Sequence, residues 1–270
     1  MRVERSAGGA EGGPGDGHWA VVAEQFGRLL DGPAGARPNY LWSVLHAADV
    51  AARTGTDAIS VVELGVAGGN GLVALDRAAL AASDALGVEI AVFGFDTGTG
   101  LPASDDVRDA PFLMEAGDFP MDPDRLRGRL ERAELVLGPV AETLPDFLAA
   151  ENPPVGFASY DLDYYSSTRD ALGVLRGEPR TCLPRVLCYF DDTHGYPWGD
   201  HNGARLAIAE FNQEEHRRKL DQIHGLKYLL PHSERDQRWA EAIYVAHLFD
   251  HPRYNEPEGT GLVSRLDLGE

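Results

Sequence analysis

The chain has 270 residues, enough for one large α/β domain that buries its own core without disulfides or structural metal. Its 43 acidic residues outnumber 24 basic ones, for a formal net charge of −19. A surface of that sign repels nucleic acid and anionic lipid, so neither is an expected partner. No run of residues is apolar for long enough to span a bilayer, and residues 1–17 lack the apolar stretch of a secretory signal, so the expected compartment is the cytoplasm.

Residues 1–17 are glycine-rich and poor in apolar side chains, and are expected to be a disordered tail. From His18 to Leu30 the apolar residues Val21, Val22, Phe26, Leu29 and Leu30 recur at helical spacing, and a second helix is expected over Tyr40–Ala52. These two form a helical prelude, 18–55, to a main domain reaching residue 250. Ile59–Leu64 (ISVVEL) is a short β-branched run bounded by glycine, hence a buried strand. A helix over Gly71–Leu86 and a strand over Ile90–Phe95 follow. A charged helix, Pro123–Arg132, precedes a short strand at Leu135–Leu137. Strands at Val155–Tyr160 and Arg185–Phe190 alternate with helices at Ser166–Leu175 and Asn202–His216. Leu226–Leu230 and Ile243–Phe249 look like a terminal pair of strands, and the tail from His251 to 270 is irregular. Strand alternating with helix predicts a doubly wound, Rossmann-like α/β fold: a mostly parallel sheet covered on both faces, closed by an antiparallel edge. Cys182 precedes the fifth strand, Cys188 lies within it, and the two are expected to be a reduced pair.

The run VVELGVAGGNG, Val61–Gly71, puts a carboxylate, Glu63, at the end of the first strand and glycines in the turn that follows. Gly65 and Gly69 allow a backbone to approach a ligand closely, and ligands of open α/β sheets sit at the carboxyl ends of the strands. A dinucleotide fingerprint fits imperfectly, because Ala67 stands where GxGxxG has its second glycine, and a P-loop is excluded by the missing lysine. S-adenosylmethionine is the remaining nucleotide class, and a strand–helix turn without ligand is the plain alternative. The second strand ends in Asp96, placed to accept the ribose hydroxyls of an adenosine. Asp96 by itself does not separate NAD from S-adenosylmethionine.

The fourth strand runs into Asp161 and Asp163 (YDLDYYSST), and the fifth into Asp191 and Asp192 (FDDTHG). Four carboxylates on one sheet edge repel one another strongly if left bare. A divalent cation resolves that conflict, and oxygen-only ligands favour Mg²⁺, Ca²⁺ or Mn²⁺. The alternative is that these residues are helix caps and turns. His194 and His201 lie close by in sequence and read as ordinary loop histidines, with a metal ligand or a base as the alternatives.

The stretches VVELGVAGGNG, FDTGTGLP (Phe95–Pro102), ETLPDFL (Glu142–Leu148), DLDYYSST (Asp161–Thr168) and FDDTHG through NGARLAIAEF together resemble the macrocin O-methyltransferase family. That family comprises metal-dependent sugar O-methyltransferases of antibiotic pathways, with the class I methyltransferase fold. The likeness covers roughly residues 59–212. It implies that Glu63, Gly65 and Gly69 hold the methionine part of S-adenosyl-L-methionine and Asp96 its ribose. It further implies that Asp161, Asp191 and Asp192 bind Mg²⁺ or another hard divalent cation, and that Asp163 is the general base toward a small-molecule hydroxyl acceptor. Gly98 and Thr99 depart from the family's pattern, which has an acidic or aromatic residue there, and the insertion PFLMEAGDFPMDPD is this chain's own. The competing readings are an NAD-dependent oxidoreductase, a catalytically silent S-adenosylmethionine-binding protein, and an iron hydroxylase of the same fold. The helical prelude and the tail are the segments that would serve a homo-oligomer.

Overall fold

The computed structural model describes residues 16–256. Two helices come first, α1 (Asp16–Leu29) and α2 (Pro38–Arg53), followed by β1 (Ala58–Leu64), α3 (Asn70–Leu86) and β2 (Glu89–Asp96). A long segment then leads through the short α4 (Pro123–Arg127) to β3 (Glu134–Leu137), α5 (Val140–Ala149) and β4 (Val155–Tyr160). The chain continues with α6 (Tyr165–Ala171), β5 (Cys182–Phe190), α7 (Gly203–Glu214), β6 (Arg218–Gln222) and β7 (Ile243–Leu248).

The seven strands form one sheet in the order β3-β2-β1-β4-β5-β7-β6. The first five are parallel, and β7 runs antiparallel to both β5 and β6. This is the doubly wound, Rossmann-like architecture expected from the alternation, with its antiparallel edge. Side chains alternate between the faces, as a buried parallel strand requires. Ile59, Val61, Ile90, Val92 and Phe157 pack with α1, α2 and α3 on one side. Val62, Leu64, Phe93, Phe95, Ala158 and Tyr160 pack with α5, α6 and α7 on the other. The prelude is therefore one of the sheet's two covering layers, and α2 is buried almost all round.

Several expectations need correction. The first strand of the terminal pair is Arg218–Gln222, and Leu226–Leu230 is a short 3-10 turn and loop. Leu226 and Leu230 are apolar because they are buried under the prelude, whereas the strand itself is an edge that needs few apolar residues. The charged helix ends at Arg127 rather than Arg132, because Asp76 accepts the backbone N–H groups of Glu131 (2.6 Å) and Arg132 (3.2 Å) and bends the chain toward α3. Helix α1 begins at Asp16, inside the segment read as a tail; residues 1–15 and 257–270 lie outside the described residues. Residues 251–256 are turns, but anchored ones: Arg253 donates to the Thr54 carbonyl and, at 3.3 Å, to Thr56 Oγ1. Cys182 and Cys188 are buried free thiols. They lie six residues apart on one strand, a separation of roughly 20 Å that no disulfide spans. Among the described residues no helix is long and apolar enough to cross a membrane.

Candidate active site

The register of the sheet assembles the site. Leu64 is aligned with Phe95 on one side and Tyr160 on the other, and Tyr160 with Phe190. The residues that follow each of these, Gly65, Asp96, Asp161 and Asp191, therefore emerge in one row at the carboxyl edge. A cavity of about 580 Å³ opens above them, in the size range of small-molecule sites. Gly65, Asp96, Asp161, Asp163, Asp191 and Asp192 all line it, so six of the eight residues singled out in the sequence share one wall system. Glu63 and Gly69 do not line it, and neither do His194 and His201.

Gly65 has φ +89°, and a Cβ there would lie 1.8 Å from the Asp161 carbonyl oxygen. Its smallness lets β1 and β4 close together where the two carboxylate-bearing loops begin. Gly69, at φ +83°, makes room for Leu126 rather than for the cavity. Asp96 organises the loop between them. Its Oδ2 accepts the N–H groups of Val66 and Ala67, both at 2.9 Å, and its Oδ1 accepts that of Gly98 at 2.7 Å. Ala67 itself sits at φ +46°, a conformation that these bonds help to hold.

Glu63 lies beneath the cavity floor, fully buried. Its Oε1 accepts the Tyr40 hydroxyl at 2.7 Å, and Ser159 donates to that same hydroxyl at 2.9 Å. Its Oε2 has no hydrogen-bond partner. Burial pushes the carboxyl up to about 8, against the lowering effect of the Tyr40 bond. Glu63 is thus a neutral, buried anchor for the prelude.

The four remaining carboxylates crowd together. Burial, reinforced by Asp191 and Asp192, pushes Asp161 up to about 7. Burial and then Asp163 do the same to Asp192, also to about 7. Asp163 rises to about 6, through burial and the charges of Asp161 and Asp191. The cluster is braced from outside. Asp192 Oδ2 accepts the Asp163 backbone N–H at 2.9 Å, and the Tyr189 hydroxyl donates to Asp191 Oδ1 at 2.5 Å. The Arg37 guanidinium, at the start of α2, comes within 3.9 Å of Asp161 Oδ2 and stacks over the Tyr40 ring. Asp163 is held at φ +59°, a strained conformation for a non-glycine residue. Among the described residues no group of three or more His, Cys, Asp or Glu side chains is arranged as a ready metal site.

Arg37, Tyr40 and Tyr189 were not visible as site residues, because an Arg before a Pro and aromatics in core elements are ordinary features of sequence. His194 faces Thr193 (Nδ1 to Oγ1, 3.1 Å) and Glu241 (Nε2 to Oε2, 3.9 Å), as a loop histidine would.

No family model matches the chain, and no curated protein matches it. Among solved structures, the O-methyltransferase NovP is 16% identical, with 75% of this chain and 91% of that chain covered and a TM-score of 0.48. CalS11, a TDP-rhamnose 3′-O-methyltransferase of calicheamicin biosynthesis, is 21% identical, covers 76% and 90%, and scores 0.45. TomG, an O-methyltransferase from Streptomyces achromogenes solved with S-adenosylmethionine, is 14% identical, covers 86% and 89%, and scores 0.43. These are distant likenesses, and the architecture described above is read from strand order and register alone.

Proposed function

We propose that the chain is an S-adenosylmethionine-dependent O-methyltransferase, assisted by Mg²⁺ or a similar hard cation. Its acceptor in this reading is a hydroxyl of a small molecule such as a sugar of a natural product. The observation that carries the reading is the shared cavity. One wall is the Asp96-braced glycine loop, and the other is the carboxylate cluster at the ends of β4 and β5.

The cavity's side chains suit the cofactor, and its carboxylates have the chemistry for a hard cation around which they would draw together. Asp96 Oδ1 accepts one N–H and retains acceptor capacity for a ribose hydroxyl, while Leu64, Phe95, Pro139 and Val140 give an apolar lining for an adenosyl group. Asp161, Asp191 and Asp192 would hold the cation. Their donor set is oxygen-only, and the burial and neighbouring carboxylates that raise Asp161 and Asp192 oppose a charge that a divalent cation would neutralise. When bound, S-adenosylmethionine supplies an activated methyl group and the cation acidifies a hydroxyl that it holds. Asp163 takes the hydroxyl proton. With its carboxyl at about 6 it is mostly ionised at neutral pH yet still a competent base. The Asp192 bond to its backbone fixes where that base stands. Glu63 contributes from below, tying the prelude to the loop through Tyr40.

Calorimetry with S-adenosylmethionine and with NAD⁺, each with and without Mg²⁺, tests this. S-adenosylmethionine binds, NAD⁺ does not, and chelator halts methyl transfer to a glycoside while leaving the cofactor bound. Binding of NAD⁺ in its place, or full-rate transfer in excess chelator, refutes the proposal.

A further inference from the structure

The insertion between β2 and α4 contributes Phe119 to the cavity wall. Three facts about this residue conflict with a purely structural role. It is 50% exposed, so the core does not need its ring. It sits at φ +60°, where glycine or asparagine is the usual choice. It also precedes Pro120, which disfavours helical backbone for the residue before it. Other exposed apolar residues of the insertion, Val107 and Phe112, do not line the cavity; Phe119 does.

The segment that carries Phe119 is fixed in place. Leu101 pairs with its base through Leu101 N–H to the Asp118 carbonyl, 2.9 Å, and Gly117 N–H to the Leu101 carbonyl, 2.8 Å. Farther along, buried Asp109 accepts the Ser166 N–H and the Ser166 hydroxyl, both at 2.8 Å, and the Ser104 hydroxyl at 2.5 Å. The insertion is thereby latched to the first turn of α6. That helix gives the cavity Ser166, Ser167 and Asp170, which share one side of it at three- and four-residue spacing. One end of the cavity thus pairs an apolar wall (Phe119, Leu101, Pro102, Ala103) with a polar one.

Resting on the function proposed above, we infer that this end is the acceptor subsite and that Phe119 determines specificity within it. The acceptor it fits is a rigid hydroxylated ring with one apolar face. The C–H face packs on Phe119, and hydroxyls on the other edge meet Ser166, Ser167 and Asp170. The strained backbone is what turns an aromatic ring, rather than a smaller side chain, toward the ligand.

The test uses methyl α-L-rhamnopyranoside as a ring probe and rhamnitol as an open-chain polyol without a ring face. Both are titrated in the presence of S-adenosylmethionine and Mg²⁺ and followed by saturation-transfer NMR. Wild type binds the ring at least fivefold more tightly than the polyol, with transfer concentrated on the C–H face. Phe119→Asn, which suits the left-handed backbone and keeps the melting temperature at or above that of wild type, loses this preference. Phe119→Tyr retains it, and both variants bind S-adenosylmethionine within twofold of wild type. An unchanged preference in Phe119→Asn overturns the inference, as does a wild type that binds cofactor but neither probe. A wild type that binds the ring probe in the expected manner yet no S-adenosylmethionine overturns the proposed function and leaves the subsite standing.

Discussion

Asp96 is the residue where a bracing role and a cofactor-holding role make different predictions. Its carboxylate accepts three backbone N–H groups, from Val66, Ala67 and Gly98. A hydrogen bond to a charged group contributes about 1.5–3 kcal/mol net, so three would sum to roughly 5–9 kcal/mol if the freed amides stayed dry. They do not stay dry, because the loop faces an open cavity and water replaces much of what is lost. Asp96→Ala is therefore expected to cost the empty protein about 2–4 kcal/mol. Asp96→Asn, which keeps the shape and one acceptor oxygen, is expected to cost roughly half that. Urea unfolding followed by circular dichroism, without any cofactor, measures this as a shift in midpoint at constant slope. A residue whose sole task is to hold a ribose would leave the empty protein's stability unchanged. A loss below about 0.5 kcal/mol in a folded Asp96→Ala protein therefore refutes the bracing argument.

Further outcomes follow from the same geometry. Gly65→Ala places a Cβ against the Asp161 carbonyl at a left-handed φ; it is expected to destabilise by more than about 3 kcal/mol, read as a fall in melting temperature. Asp192→Asn weakens Mg²⁺ binding and is partly rescued by excess Mg²⁺. Asp163→Asn leaves Mg²⁺ affinity nearly intact and lowers turnover by roughly 10²–10⁴-fold, so equal rescue of both variants contradicts the assigned roles. Near pH 7 the metal-free protein holds protons on Asp161 and Asp192, each with a pKa of about 7. Mg²⁺ binding should then release about one proton, measured by calorimetry in buffers of different ionisation enthalpy. Glu63 is raised to about 8 in the folded chain, above its unfolded value, so its contribution is full at low pH and is lost as pH rises through 8. Between pH 6 and 8 the wild type should lose about 2 kcal/mol that Glu63→Gln does not, and parallel stability curves would contradict the neutral-anchor reading.

Much of this was legible in the chain itself. The apolar runs that became β1, β2, β4 and β5 are short, largely buried and bounded by turn residues, a pattern that marks strands by length and flanks. Because parallel strands align their ends, the carboxylates that follow those runs were bound to meet. Two elements were hidden. Helix α5 contains Pro145, which conceals its helical period, and β6 (RKLDQ) is polar because an edge strand buries little. Within the site, sequence gave residue types but not the direction in which they point. Glu63 ends β1 as expected, yet it turns inward to Tyr40, and nothing local distinguishes that from facing a ligand. Arg37 reaches Asp161 and Phe119 reaches the cavity from segments far apart in the chain, and only the assembled fold reveals it.

The position of β7 has a consequence for how the protein is made. The last strand among the described residues is inserted between β5 and β6, and it supplies the antiparallel partner of both. As the polypeptide is synthesised, β5 emerges with one edge open, and β6 has no neighbour until residues 243–248 arrive. A nascent chain halted before that point presents an unpaired, apolar strand edge beside the carboxylate cluster, the kind of edge on which chains aggregate. Completion of the sheet therefore waits for β7, and the native state is sensitive to loss of residues that touch no part of the cavity.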